Sequence, residues 1–270
     1  EGDITTNKHN KGEMKMKVKV MTFNIRLDNA GDGEYRFDNR KEGIKEFLDR
    51  EKPDLIGFQE VLPHVRAWLS DNLPDYVLIG MGRGKNYNDE SASIAYRRDK
   101  FDLVRFEQFW LSDTPDVPGS HFHLDQSGCP RICALATLVD RATAKVFNFA
   151  NTHLDHIGRY AKVCGASMIV SKVLSGKEPL PFFITGDMNG RPNDPEILVF
   201  KKAPGVNDLT DGIPDDGFTF HNYGRVTGDY KIDYIFSSGK AVEGTLTLHD
   251  DKVNGVFLSD HYPVSVVAEI

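Results

Sequence analysis

Two hydrophobic rhythms alternate along this chain, and the switches between them divide it into units. Val18 to Ile25 is a mostly apolar run of strand length flanked by Lys17 and Arg26. A 3.6-residue period follows, with Ile44, Phe47 and Leu48 on one face of a helix predicted from Asn39 to Lys52 and stopped by Pro53. Asp54 to Phe58 reads as a short strand delivering Gln59-Glu60, and Pro63 to Leu73 as a second helix with proline in its first turn. From Tyr76 to Asp140 the pattern turns to β. Tyr76–Ile79, Ser91–Arg97, Phe101–Leu111 and Ile132–Val139 are broken by Gly, Asp and Pro, which predicts an antiparallel meander. Between Asp113 and Arg131 no period survives, and this Pro-, Gly-, Ser- and His-rich segment reads either as a substrate loop or as a disordered excursion.

The second half repeats the strand–helix–strand logic with Lys145–Asn151, a helix from Ile157 to Leu174 and Pro181–Thr185, giving a faint internal symmetry. Short strands follow at Ile232–Phe236, Thr245–Leu248 and Pro263–Ala268. The expectation is an α/β protein with two sheets packed face to face, helices outside, and site residues along one edge of the sandwich. No Pro-, Gly- or Ser-rich linker divides the 270 residues, so 18–270 reads as a single catalytic domain behind a disordered segment, 1–17.

Composition adds few constraints. The 40% hydrophobic content suffices for a sizeable core. A formal charge of −7, with basic residues dispersed as Arg40-Lys41, Arg97-Arg98-Asp99-Lys100 and Lys201-Lys202, leaves no broad footprint for duplex nucleic acid. That weighs little against a nuclease, because bound metal neutralises acidic groups and a short substrate needs few phosphate contacts. Cys129, Cys133 and Cys164 cannot all pair and have no second pair for zinc, so they read as structural or free thiols. Glu1 to Lys17 is polar, which predicts no signal peptide and no membrane span there. A start at Glu is compatible with a trimmed leader and an exported protein. Nothing implies a protein partner, and a monomer is expected.

Chemistry concentrates where apolar runs end: Phe23-Asn24, Gln59-Glu60, Gly186-Asp187-Met188-Asn189 and Ser259-Asp260-His261. This oxygen-rich set suits a hard cation such as Mg²⁺. Glu60 is the best metal ligand, because a carboxylate at the end of a buried strand is costly unless a cation pairs with it. Asp187 and Asn189, two apart, project to one side in extended geometry, where one can hold a water and the other a phosphate oxygen. His261 suits a general acid or base, oriented by Asp233, an acid within the apolar stretch Lys231 to Tyr234. His153 and His156 have no third His or Cys at zinc spacing, so His153 reads as a phosphate donor oriented by Glu90. Gly80 to Lys85 imitates a phosphate loop but fails its spacing and reads as a flexible turn, while Phe106, Phe109 and Trp110 read as core.

In this order the motifs resemble the endonuclease/exonuclease/phosphatase superfamily, which includes DNase I, AP endonucleases, CCR4-type deadenylases, neutral sphingomyelinases and inositol polyphosphate 5-phosphatases. The resemblance runs from about Val18 to Ile270 and implies a DNase I-like four-layer α/β/β/α sandwich hydrolysing phosphoesters with Mg²⁺ or Mn²⁺. It implies that Asn24, Glu60 and Asp260 serve the metal, Asp187 activates water and Asn189 holds phosphate. His261, oriented by Asp233, would stabilise the transition state or act as the acid–base group. Arg26 stands where AP endonucleases carry an acid, and His153 where they carry tyrosine. Phe109-Trp110-Leu111-Ser112, Pro130-Arg131 and Thr219-Phe220-His221 look like the CCR4/nocturnin/Angel side and its bacterial relatives, which makes Arg131 a second phosphate donor. A phosphodiesterase or nuclease acting on RNA or DNA oligonucleotides, with a 3′→5′ exonuclease included, is the leading expectation. A small-molecule or lipid-headgroup phosphoesterase and a catalytically silent binding module are the alternatives.

Overall fold

The computed structural model describes residues 15–214, 217–228 and 230–270. In chain order the first half contains β1 (Lys17–Asn24), α1 (Phe37–Glu51), β2 (Leu55–Gln59), α2 (Pro63–Asn72), β3 (Tyr76–Ile79), β4 (Ile94–Arg97), β5 (Phe101–Trp110) and β6 (Ile132–Asp140). The second half contains β7 (Val146–His153), α3 (Arg159–Val173), β8 (Phe182–Asp187), α4 (Pro195–Lys201), β9 (Asn207–Asp208) and β10 (Asp233–Ser237). The short strands β11 (Lys240–Ala241), β12 (Thr247–Leu248), β13 (Lys252–Val253) and β14 (Val256–Phe257) precede β15 (Val264–Glu269).

Two large sheets result, ordered β11-β15-β1-β2-β4-β3, with β12 also on β15, and β5-β6-β7-β8-β10-β9, while β13 and β14 pair as a separate two-stranded sheet. Alternation along each strand divides its residues between two cores. Val18, Val20, Leu55, Phe147, Phe149, Phe183 and Ile235 fill the space between the sheets. Met21, Phe23 and Phe58 face Ile44, Phe47, Val65 and Leu69 of α1 and α2. On the far side Ala150, Ile184 and Phe236 meet Ala166 and Ile169 of α3 and Phe200 of α4. Four layers, α/β/β/α, follow from this double-sided burial.

The internal symmetry is real at the level of pairing. β1 and β2 are parallel and joined through α1, and β7 and β8 are parallel and joined through α3. The single meander expected from Tyr76 to Asp140 does not form. β3 and β4 pair in the first sheet, whereas β5 and β6 pair in the second. The chain changes sheets at Asp99-Lys100, where Arg97 Nη2 holds Asp99 Oδ2 at 2.8 Å, and a turn after a polar pair gave no sign of whether the next strand stays in the same sheet. α4 was not anticipated because its period spans only seven residues. The N-terminal boundary lies earlier than Val18: β1 begins at Lys17, and Met16 is already buried. The rest of the segment expected to be disordered, residues 1–14, lies outside the described residues.

Beneath the edge where the motifs gather, a polar seam joins the sheets. Gln59 Nε2 donates to Asn151 Oδ1 at 2.7 Å, Thr185 Oγ1 donates to the same oxygen at 3.0 Å, and Asn151 Nδ2 donates to the Phe58 carbonyl at 2.7 Å. Gly57 makes this approach possible, because a Cβ there would sit 2.0 Å from Thr185 Oγ1 and 2.4 Å from Asn151 Oδ1. Gly57→Ala is therefore expected to destabilise the fold by about 1–3 kcal/mol, the usual cost of overpacking. A denaturant midpoint equal to that of the unsubstituted protein would contradict this.

Candidate active site

The strand ends bring the motifs together by parity and register. Asn24 closes β1 on the side that Val18 and Val20 present to the opposite sheet. Asp187 closes β8 and lies opposite Asp233 at the start of antiparallel β10, while His153 closes β7 beside Asp187. Ser259 to His261 lead into β15, which runs antiparallel to β1. Asn24 links the two sheets: its Nδ2 donates to Glu60 Oε1 at 3.1 Å and to Asp187 Oδ2 at 3.0 Å. Glu60 and Asn189 leave their strands with φ of 63° and 44°, left-handed conformations that cost energy for these residues. Such strain persists because the surroundings fix it. Leu27 N–H holds Glu60 Oε2 at 2.9 Å, Asn189 N–H holds Asp187 Oδ1 at 2.9 Å, and Lys162 Nζ holds the Asn189 carbonyl at 2.9 Å.

His261 and Asp233 form the pair read from the sequence, with Nδ1 and Oδ2 2.9 Å apart. Burial opposes a charged imidazole, yet the Asp233 carboxylate, together with the charges of Asp187 and Asp260, outweighs it and lifts the His261 pKa to about 10. Its Nε2 lies 3.7 Å from Asp187 Oδ2. Burial, reinforced by the charge of Asp233, pushes Asp187 up to about 7. A carboxyl poised near neutrality beside an imidazolium is a base next to an acid.

The opposite wall differs from expectation. Glu90 does not orient His153: it accepts from Arg83 Nη2 at 2.7 Å, and His153 Nδ1 is buried with no hydrogen-bond partner. Arg83 was missed because it lies in the Gly80 to Lys85 stretch, read as a flexible turn. That stretch is a built loop: Arg83 is 7% exposed, its carbonyl takes Trp110 Nε1–H at 2.7 Å, and a Cβ on Gly82 would strike the Asn88 carbonyl at 2.2 Å. The spacing of glycines about a lone arginine was the available signal.

Arg131 does reach the site. It is 4% exposed, Nη2 bonds His156 Nδ1 at 2.9 Å, Nε lies 3.6 Å from Asp155 Oδ1, and Nε and Nη1 have no hydrogen-bond partner. A buried guanidinium with free donors suits an anion. Burial lowers its pKa and, together with the Arg131 charge, holds His153 well below the usual imidazole range. The segment from Asp113 to Arg131 is mainly a clamp, because Asp125 takes the N–H groups of Tyr160 and Ala161 at the start of α3 at 2.8 and 3.0 Å. Cys129 and Arg131, at its end, reach the cleft. The three cysteines are free, as the spacing predicts, and Phe109 and Trp110 are core.

These groups line a cleft of about 600 Å³, with Arg83, Arg131, Arg191, Phe220, Tyr230 and Ile232 also in its lining. The donor set fits a divalent cation. Ligand atoms of Glu60, Glu90 and His153 lie within 4.8 Å of one another, and Asp260 borders the same space. Burial and the nearby Glu60 charge, against the pull of Arg83, raise Glu90 to about 7, and burial raises Asp260 as well. Crowded acids whose protons are hard to remove are relieved by a cation. Asn24 is the weaker candidate, since its Nδ2 faces the two acids while its Oδ1 accepts from Arg26 N–H at 3.0 Å.

A double-sheet sandwich with this constellation at one edge defines a metal-dependent phosphoester hydrolase. Residues 21–261 match the endonuclease/exonuclease/phosphatase family, and the chain belongs to it. A Bacteroides vulgatus endonuclease/exonuclease/phosphatase structure is 30% identical with a TM-score of 0.85, covering 95% of this chain and 100% of its own. The Bacteroides thetaiotaomicron mannosyl-6-phosphatase Bt3783 is 28% identical with a TM-score of 0.79, covering 94% and 99%. The uncharacterized protein L388 of Acanthamoeba polyphaga mimivirus is 25% identical over 87% of this chain and 93% of its own. No helix among the described residues is long and apolar enough to cross a membrane.

Proposed function

We propose that this chain hydrolyses a phosphate ester carried by a small organic molecule, a sugar phosphate being the favoured class. The carrying observation is the cleft: about 600 Å³ is a volume typical of small-ligand sites, and its lining combines Arg83, Arg131 and Arg191 with the apolar side chains of Phe220 and Ile232. The dispersed basic residues and the charge of −7 offer little to hold a long polyanion. The likeness to a mannosyl-6-phosphatase over nearly the whole chain supports the same reading.

A divalent cation at Glu60 and Asp260 would neutralise phosphate oxygens and acidify a water. The side chains supply the rest. Asp187, with its pKa near 7, takes the proton of the attacking water. Asn189 Nδ2 spends one N–H on the Leu154 carbonyl at 3.1 Å and has a second for a phosphate oxygen. Arg131, whose Nη1 has no hydrogen-bond partner while Nε faces Asp155 Oδ1 at 3.6 Å, is the donor to another oxygen. His261, kept protonated by Asp233, presents Nε2–H to the charge that develops as the ester bond breaks. His153 lies beside Asp187 with Nε2 3.5 Å from Oδ2 and borders the same phosphate position.

The second reading, cleavage of an RNA or DNA strand, draws on Phe220 and Tyr230, whose rings lie 5.9 Å apart in the cleft and can stack on bases. Incubation with hexose phosphates, glycerol phosphate, nucleotides and 5′-labelled single strands, each with Mg²⁺, with Mn²⁺ and with EDTA, separates the two. Metal-dependent phosphate release from a sugar phosphate with intact strands is expected. Laddering of a strand without release from small esters overturns the first reading in favour of the second.

A further inference from the structure

The position of Arg26 is unexplained by the chemistry above. Its guanidinium grips Asp32 with two parallel bonds, Nε to Oδ2 at 2.9 Å and Nη2 to Oδ1 at 3.0 Å. The same group lies 3.7 Å from Asp260 Oδ2 and 4.0 Å from Glu60 Oε2, close enough for strong attraction yet beyond hydrogen-bond length. Its backbone is pinned. φ is 59°, N–H is held by Asn24 Oδ1 at 3.0 Å, and the carbonyl accepts from the buried Arg40 Nη2 at 3.0 Å. A positive charge is thus suspended beside two acids, restrained from reaching them by a third.

We propose that Arg26 is a tethered counter-cation that sets the affinity of the Glu60–Asp260 pair for divalent metal, with Asp32 as the tether. The proposal rests on the reading that Glu60 and Asp260 hold the cation. Without metal, Arg26 offsets part of the repulsion between the acids. When metal arrives, Asp32 retains the guanidinium, so the acids are released without rearrangement of the chain. A unit charge at this distance in a partly buried site changes a divalent ion's affinity by about tenfold or more.

Calorimetric titration of the substrate-free protein with MnCl₂ and MgCl₂ tests this. Arg26→Gln is expected to bind Mn²⁺ about tenfold more tightly and Asp32→Asn about tenfold more weakly, because the freed guanidinium then closes on the acids. Arg26→Lys keeps the charge and stays nearer the parent value. In the double variant the Asp32→Asn loss should vanish, since the group it releases is absent. Circular dichroism and thermal melting confirm that each variant is folded, and the predicted loss in Asp32→Asn carries the test where Arg26→Gln is not.

Unchanged Kd values for Arg26→Gln and Asp32→Asn, alongside a weakened Glu60→Gln, overturn the counter-cation role and leave the metal assignment standing. An unchanged Glu60→Gln removes the metal assignment itself. A higher substrate KM for Arg26→Gln at saturating Mn²⁺, with Kd unaltered, makes Arg26 a phosphate ligand instead.

Discussion

His261→Ala is expected to lower kcat on the order of 10³-fold while leaving the fold intact, within the range for a positioned general acid. The expectation follows from the isolation of the imidazole: it is 5% exposed, bonded through Nδ1 to Asp233, with Nε2 directed toward Asp187. Water cannot readily replace a donor so enclosed. Asp233→Asn should cost less at neutral pH but should change the pH profile. In the unsubstituted protein Asp233 holds the His261 pKa at about 10, so the acid form persists until pH rises through that value. Without the carboxylate the pKa falls toward its ordinary 6.5, and activity should decline above the neutral range. Superimposable pH profiles for the two proteins would remove Asp233 from its orienting role.

Glu60→Gln should raise the Mg²⁺ concentration for half-maximal activity by about tenfold to a hundredfold, with partial recovery in excess metal. Loss of one charged ligand from a small set has an effect of that order. The substitution keeps the volume of the side chain and leaves an amide oxygen able to accept from Leu27 N–H, now 2.9 Å from Oε2. The backbone at φ 63° should therefore keep its path. A Mg²⁺ titration superimposable on that of the unsubstituted enzyme would eliminate Glu60 as a ligand.

Much of the site was legible in the sequence because strands impose a period of two. A polar residue ending an apolar run, on the same parity as core residues, must emerge at the rim of the inter-sheet space. Asn24, Asp187 and Asp233 all obey this, as does the His261–Asp233 pairing inferred from an acid in an apolar stretch. What was hidden depends on loops. Glu90 answers to Arg83 instead of His153 because a glycine-rich loop folds back on itself, a matter of contacts between residues seven apart with no repeating pattern. Arg26 looked like a departure from a familiar arrangement, and only its distances to Asp32, Asp260 and Glu60 give it a role. Gln59 attracted notice as a neighbour of Glu60, yet it belongs to the seam beneath the site.

That seam bears on how the enzyme comes into being. Glu60, Asp260 and His261 flank strands of one sheet, while His153, Asp187 and Asp233 stand at strand ends of the other and Asn189 follows β8. Neither half of the polypeptide carries a working set, and the β1–β2 unit emerging first in synthesis presents an acid with no partner across the gap. The bonds among Gln59, Asn151 and Thr185 close only when the two sheets are docked face to face. Competence for catalysis thus requires both sheets, joined across this seam.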